Sequence, residues 1–190
     1  MELREAIEKR FSCRRFADKP VEEEKIQEII RLATYAPNGK NTQKWHFTIV
    51  ESEEGKEKLR QAAGDPPEDF GKEMKDVPGY GKVKLKWPFQ GDFCGAPIVI
   101  MISGDPNVPW PDIGPRLAAE NLMLAATDLG LATLWSTLFT KDLFRDEKTL
   151  KLKEYFLPEG YELYATLFVG YPEKQPAKRP ERKGDIISWR

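Results

Sequence analysis

A group of polar residues near the amino terminus has types and spacing that suit phosphate binding. Arg10, Ser12, Arg14 and Arg15 follow a short predicted helix. A phosphate monoester carries about two negative charges and three acceptor oxygens near neutral pH, which guanidinium groups and a hydroxyl satisfy well. The same residues also fit a solvated basic turn, because cations are favoured beside the carboxyl terminus of a helix. The spacing alone leaves both interpretations open.

A second polar cluster occupies the stretch from Ala36 to Trp45, which reads APNGKNTQKW. It concentrates amides, a hydroxyl and flexible backbone directly before a predicted strand. Such a loop can recognise a polar heterocycle through hydrogen bonds. An Asn/Gly turn that simply leads into the strand is the plainer interpretation.

Regular elements must position these clusters. Apolar residues at helical spacing predict helices at Leu3–Phe11, Glu22–Tyr35, Gly55–Ala63, Ile113–Leu129 and Glu147–Phe156. Extended apolar patterns predict strands at Trp45–Val50, Pro97–Ser103, Ala132–Leu138 and Tyr161–Val169. This order indicates an α/β or α+β domain of two or three layers, with a mixed sheet of four or five strands.

Three further segments suggest surfaces with a special role. The predicted helix Ile113–Leu129 has almost no polar face, so we expect it to be buried, for instance between subunits. Residues 64–93 lack clear periodicity and are more typical of a lid or a partner-binding excursion than of an ordinary connection. Residues 172–190 form a basic, proline-containing arm with an apolar end that must be buried somewhere.

Length and composition limit the classes of function. A chain of 190 residues favours a single domain over residues 1–190. The 31 acidic and 30 basic residues nearly cancel, which speaks against a nucleic-acid-binding domain that would use the amino-terminal arginines and the carboxyl-terminal arm. No run reaches the roughly 18 apolar residues of a membrane span, so a soluble cytoplasmic protein is expected. Two cysteines and one histidine do not make an ordinary zinc site, and no metal is expected.

In their order and spacing, the two clusters resemble the nitroreductase family of flavoproteins. The amino-terminal motif of the family is matched by Arg10, Ser12 and Arg14. The resemblance continues through these later residues and segments: Pro37, Asn41, Gln43, Trp45, Asn121–Trp135 and Phe168–Pro172. It therefore spans the chain apart from residues 65–93.

The resemblance implies an α+β fold with α/β/α layers and a central mixed sheet of four to five strands. It also implies a homodimer with FMN at the subunit interface and a carboxyl-terminal arm exchanged with the partner subunit. The implied cofactor-binding residues are Arg10, Ser12, Arg14, Pro37, Asn38, Gly39, Asn41, Gln43, Ser136, Thr137, Arg179 and Arg182.

The resemblance also implies a role for each group of residues. Arg10 and Ser12 would bind the FMN phosphate, completed by Arg182, with Lys178 or Arg179 as helpers. Arg14 would lie along the ribityl chain toward N1 and O2 of the flavin. The loop at residues 37–41 would approach a flavin held mainly by the other subunit. Backbone N–H groups at residues 136–138 would reach N5 and O4.

The activity implied is a ping-pong reaction in which NADH or NADPH reduces the flavin and a small electron-poor acceptor, such as a nitroaromatic or quinone, reoxidises it. No side chain is expected to be catalytic, because flavin N5 carries the chemistry. Alternatives that remain are a non-catalytic flavin-binding or redox-sensing protein, and a dehalogenase, an ene reductase or a flavin-degrading enzyme of the same fold.

Other conspicuous residues have structural interpretations first. His46 alternates with aromatic residues and is expected to be a strand residue rather than a general acid. Cys13 lies among arginines that can lower a thiol pKa, but packing is the better interpretation. A set of aromatic residues is predicted either to line a substrate lid or to make core or dimer contacts: Trp87, Phe89, Phe93 and Trp110.

Overall fold

A computed structural model of the chain describes residues 1–64, 74–77, 81–84, 93–136, 139, 141–144 and 147–176. The helices are α1 (Leu3–Lys9), α2 (Glu23–Ala33), α3 (Glu53–Ala63), α4 (Ile113–Asp128) and α5 (Glu147–Phe156). The strands are β1 (Trp45–Val50), β2 (Met74–Val77), β3 (Gly81–Lys84), β4 (Ile98–Gly104), β5 (Ala132–Trp135) and β6 (Glu162–Gly170). The helices and strands predicted outside residues 64–93 are all confirmed, with ends that differ by a few residues.

The main sheet has four strands in the order β1-β4-β6-β5. All three ladders between these strands are antiparallel, so the predicted mixed sheet is wrong for the described strands, whereas the α+β class is confirmed. Every residue of β4 is buried, so both faces of this strand are covered. Burial of a strand does not reveal the direction of its neighbours, which is why the direction could not be predicted.

Hydrophobic clusters lie on both faces of this sheet and create three layers. One cluster joins α2 and α4 to the sheet, with Ile29 and Leu122 fully buried. The other joins α3 and α5 to the opposite face, with Leu59 and Phe168 fully buried. Because β4 and β6 lie in the middle of the sheet, the edges formed by β1 and β5 are the parts left open to other groups.

Two helices leave large apolar side chains in solvent. α1 forms as predicted and lies against α4, but it buries Ala6 while Leu3 and Ile7 remain 68% and 53% exposed. On α4, Ile113 and Leu117 remain 46% and 40% exposed. The four exposed side chains are called the α1/α4 apolar face below. The amino group of Met1 pairs with Asp128, so α1 begins near the carboxyl end of α4, whereas Ile113 and Leu117 lie in its first turns. The exposed apolar side chains are therefore spread along the helix pair.

The segment predicted as a lid contains regular structure that the sequence pattern did not show. β2 and β3 pair as an antiparallel hairpin. Residues 65–73, 78–80, 85–92 and 177–190 lie outside the described residues, together with the predicted aromatic residues Trp87 and Phe89. Among the helices that are described, none has both the length and the apolar character needed to cross a membrane.

Candidate functional site

Most of the first polar cluster lies on residues 12–17, called the edge segment below, which begins beside β5 and then passes the end of β6. Arg10 precedes this segment as the residue that caps the carboxyl end of α1. Ser12 forms a parallel bridge with Thr133, and the backbone N–H of Cys13 donates to the Thr133 carbonyl at 2.9 Å. Further along, the N–H of Phe16 donates to the carbonyl of Cys94 at 3.1 Å. Backbone hydrogen bonds therefore fix the direction of each side chain in the segment.

The edge segment separates polar from apolar side chains. Cys13 and Phe16 are buried, whereas Ser12, Arg14 and Arg15 point to solvent. The Arg14 guanidinium donates from Nη1 to the Ser12 carbonyl at 3.4 Å, which keeps the cation beside the hydroxyl-bearing residue. The result is an outward group of guanidinium and hydroxyl donors on a fixed backbone, which suits an anionic ligand such as a phosphate.

Cys13 is the inward residue of the cluster. Its side chain is only 2% exposed, and its Sγ donates to the Arg15 carbonyl at 3.0 Å. Burial raises the pKa of the thiol, an effect that outweighs the opposing influence of Arg14. Cys13 is thus a packing residue with a neutral thiol, in agreement with the structural interpretation.

Buried hydroxyls lie where β5 ends. The side-chain oxygens of Thr133, Ser136 and Thr166 are buried and have no hydrogen-bond partner in the described part of the chain. Leu134 pairs with Phe168, so the alternation of side chains places Ser136 and Thr166 on the same face of the sheet. A buried hydroxyl without a partner costs about 1–3 kcal/mol, which a ligand or a water molecule can relieve.

The predicted role of the Ser136 backbone needs a correction. The Ser136 N–H donates to the Thr166 carbonyl at 2.9 Å, so this N–H already has a partner and cannot be the donor to flavin N5 or O4. The unpartnered hydroxyl is the group of Ser136 that a ligand can still use. Four further residues of the predicted site lie outside the described residues: Thr137, Leu138, Arg179 and Arg182. Lys178 lies outside them as well.

The second polar cluster forms one part of a pair of loops, residues 36–43 and 105–112, called the loop pair below. The backbone of Lys40, Asn41 and Gln43 adopts positive φ angles of 54°, 52° and 50°. The Asn38 Oδ1 accepts the Gln43 N–H at 2.9 Å, which ties the two ends of this turn together. Positive φ in residues other than glycine stores strain, and such strain collects at functional sites.

Gly39 allows the two loops to touch. A Cβ atom at this position would lie 2.7 Å from the Pro109 carbonyl oxygen and 3.3 Å from Cε3 of Trp110. Any larger residue would therefore push the two loops apart. Gly114, in the first turn of α4, similarly approaches the Asn38 side chain, with 3.0 Å to an added Cβ. The plain Asn/Gly turn is thus part of a closely fitted surface.

The structure separates the remaining aromatic residues by role. Phe93 is 1% exposed and lies edge-on to Phe168 with ring centroids 5.5 Å apart, so it belongs to the core and does not line a lid. Trp110 is 64% exposed, which excludes a core role. His46 is an exposed strand residue paired with Ser103, as predicted. Among the described residues, no group of His, Cys, Asp and Glu has the arrangement of a metal site.

The two polar clusters do not meet within one chain. The loop at 36–43 leads into β1, which is one edge of the four-stranded sheet, while the edge segment runs beside β5 at the other edge. Three strand spacings of about 4.8 Å separate β1 from β5, or roughly 14 Å, and the edge segment lies one further strand away. The clusters also lie toward opposite ends of the strands, because Trp45 is level with Glu162 through Gly104, whereas Ala132 pairs with Gly170. A ligand that contacts both clusters therefore needs a second copy of one of them.

Comparison with known proteins identifies the fold. The chain matches the model of the Nitroreductase family over residues 7–171. It is 25% identical over 185 residues to a putative NADH dehydrogenase/NAD(P)H nitroreductase of Methanothermobacter thermautotrophicus, covering 94% of this chain and 82% of that protein. It is 28% identical over 189 residues to the iodotyrosine deiodinase of Thermotoga neapolitana, covering 95% and 94% of the two chains. The structure resembles an FMN-bound nitroreductase of Bacteroides fragilis with a TM-score of 0.80, at 25% identity, over 100% of this chain and 98% of that one.

Proposed function

Because this chain belongs to the nitroreductase family, we propose that it is an FMN-dependent oxidoreductase that works as a homodimer. In this proposal NADH or NADPH is the electron donor, and a small electron-poor molecule, such as a nitroaromatic or a quinone, is the acceptor. The observation that carries the proposal is the position of the two polar clusters at opposite edges of one sheet. A twofold dimer would bring the edge segment of one subunit next to the loop at residues 36–43 of the other.

The donors along β5 suit the shape of FMN. Ser12, Arg10 and Arg14 would hold the phosphate and the ribityl chain at the edge segment. Thr133 lies beside Ser12, and Ser136 follows it at a distance of roughly 10 Å along the strand. The ribityl chain and ring of FMN extend over such a length, which would bring the buried Ser136 hydroxyl toward the polar edge of the ring.

The chain would supply binding and electrostatics. FMN, when bound, provides the two-electron chemistry, so no catalytic side chain is required. The fixed positive charge of Arg14 beside the ring would stabilise the negative charge that reduction places there. The Arg14 Nη1 donates to the Ser12 carbonyl at 3.4 Å, which keeps that charge next to Ser12.

The α1/α4 apolar face supports the homodimer. Leu3, Ile7, Ile113 and Leu117 are 40–68% exposed on two helices that lie against each other. Homodimer interfaces are more apolar than ordinary surfaces, and their aliphatic side chains become buried on association. We expect the exposed side of α4, with Ile113 and Leu117, to become buried between subunits in this way. The exchanged carboxyl-terminal arm belongs to the same proposal.

A second candidate is reductive dehalogenation of an aromatic substrate. It is favoured by the 28% identity to the Thermotoga neapolitana iodotyrosine deiodinase, which extends over 95% of this chain. The binding residues for FMN would be the same in both cases. The two activities differ in the substrate that accepts electrons, so substrate tests separate them.

Absorbance spectroscopy of the purified protein tests the proposal. We expect bands of bound flavin that bleach when NADH or NADPH is added without oxygen and return when menadione follows. Iodide release from 3-iodo-L-tyrosine after reduction by dithionite would favour the second candidate. If neither NADH nor NADPH reduces the bound flavin, and the dithionite-reduced protein turns over no substrate, the protein is a non-catalytic flavin protein. A colourless dimer that binds no added FMN would refute both proposals.

A further inference from the structure

Trp110 combines exposure with backbone strain. Its side chain is 64% exposed, and its φ angle is 53°, in the left-handed region that bulky residues rarely adopt. Neither property is explained by the core, because an indole in solvent forgoes its hydrophobic stabilisation. Strain of this kind costs about 1–3 kcal/mol and persists where the surrounding structure imposes it for a function.

The loop that carries Trp110 is ordered by its own hydrogen bonds. The Asp105 carboxylate accepts the backbone N–H and the side-chain amide of Asn107 at 2.9 and 3.0 Å. The Ile113 N–H donates to the Trp110 carbonyl at 3.2 Å. Pro109 and Pro111 flank the residue and fix the neighbouring φ angles. The backbone around Trp110 is therefore ordered before any ligand arrives.

The benzo edge of the Trp110 indole contacts the polar loop, whereas most of the side chain is exposed to solvent. Cε3 lies 3.3 Å from the position of an added Cβ on Gly39, so the benzo edge rests on the backbone of the polar loop. A shallow hollow lies between the loops, lined in part by Asn38, Trp45 and Gly114. The face of an electron-rich ring is thus displayed next to the loop at residues 37–41.

We propose that Trp110 is a specificity-determining residue that stacks on a planar aromatic electron acceptor and favours it over non-aromatic acceptors. This inference rests on the proposed function, in which the neighbouring loop approaches the flavin. The face of an indole carries partial negative charge, so offset stacking is favourable with a ring depleted of electrons by nitro or carbonyl groups. The preordered loop lowers the entropy cost of that contact.

The test compares acceptors in Trp110→Ala and Trp110→Phe. Menadione is the planar aromatic acceptor, and ferricyanide is the non-aromatic control. We expect Trp110→Ala to raise KM for menadione roughly three- to tenfold with kcat little changed, from the loss of one stacking contact. KM for ferricyanide should stay within about twofold of its wild-type value, and Trp110→Phe should restore most of the menadione affinity.

Binding of menadione to the oxidised, FMN-loaded protein gives a readout that needs no turnover. Its Kd, followed by the change in flavin absorbance, should rise in Trp110→Ala by the same factor as KM. Tyr155→Ala is the matched control, because Tyr155 is a 49% exposed aromatic residue on α5, across the sheet from α4. It should leave the Kd unchanged.

Distinct results separate this inference from the proposed function. If the Kd for menadione rises in Trp110→Ala, but the wild-type protein turns over no acceptor, the proposed function is refuted and the stacking contact is supported. Normal turnover with an unchanged menadione Kd would refute the role of Trp110 and leave the function intact. Loss of the dimer in Trp110→Ala, or equal weakening of both acceptors, would show that Trp110 is a subunit contact and would also refute its role in specificity.

Discussion

The two polar regions of the molecule are built in opposite ways. The edge segment joins β5 and the ends of neighbouring elements through backbone hydrogen bonds, and it contains no residue with positive φ. The loop pair contains four such residues outside glycine and is held by close steric contact at Gly39. The edge segment presents cations and a hydroxyl, whereas the loop pair presents a shaped surface with an aromatic ring.

This difference indicates a division of labour. A phosphate is recognised by charge and hydrogen bonds, which tolerate small displacements, so a regular backbone with outward donors is sufficient. A planar ring is recognised by shape and stacking, which demand a fixed surface. In the proposed homodimer, each cofactor site would combine the edge segment of one subunit with the loop pair of the other, because the two regions lie at opposite edges of the sheet.

The largest effect should come from removing charge in the first region. Arg10→Ala and Ser12→Ala should each weaken FMN binding by about 1.5–3 kcal/mol, or about 10- to 150-fold, because each removes a charge-assisted hydrogen bond to the phosphate. Titration of the apoprotein, followed by the quenching of FMN fluorescence, measures the change. Arg31→Ala is the matched control, since Arg31 is an exposed cation that pairs with Glu28 at 2.7 Å on α2. If Arg10→Ala and Arg31→Ala bind FMN with equal affinity, Arg10 does not bind the phosphate.

A smaller effect should come from altering shape in the second region. Gly39→Ala places a methyl group 2.7 Å from the Pro109 carbonyl oxygen, so the loops must shift at a cost of about 1–3 kcal/mol in the free energy of unfolding. Urea unfolding measures this loss. Gly160→Ala is the control for backbone strain without steric overlap, because Gly160 has a φ of 76° and an added Cβ would have open space around it. A fully stable Gly39→Ala protein would contradict the close fit of the loop pair.

The smallest functional effect should come from Cys13, the buried residue between the phosphate donors. In a Cys94→Ser background, iodoacetamide at pH 8 should label Cys13 about tenfold or more slowly in the folded than in the urea-unfolded protein, because its side chain is only 2% exposed and burial raises its pKa. The neutral thiol also makes stability fall as pH rises past the unfolded thiol pKa of about 8.5. Equal labelling rates would show instead that the arginines activate this thiol.

The sequence predicted local structure well because local structure leaves a local pattern. The strand Trp45–Val50 was predicted with the bounds it has, and α2 buries Ile26, Ile29 and Ala33 as its spacing indicated. The hairpin of β2 and β3 is not indicated by the sequence pattern, because each strand has only four residues and offers too short a window for a periodic signal.

Relations between distant parts of the chain could not be predicted. The direction of the ladders and the placement of the two clusters at opposite edges depend on how the strands are ordered, which no single motif records. The Ser136 N–H was expected to be available, but pairing with β6 uses it. Leu3 and Ile7 have helical spacing and yet remain exposed in the described structure, and the sequence pattern does not show which surface would cover them.

A mixed dimer tests most directly whether the cofactor site is shared between subunits. One subunit carries Arg10→Ala and Ser12→Ala, the other carries Gly39→Val, and two different tags allow the mixed species to be purified. If each site combines the edge segment of one subunit with the loop pair of the other, one of the two sites is fully wild type. The mixed dimer should then recover about half of the wild-type turnover of menadione, although both parent homodimers are impaired. Turnover no higher than that of the parents would show that each site lies within one chain and would contradict the account.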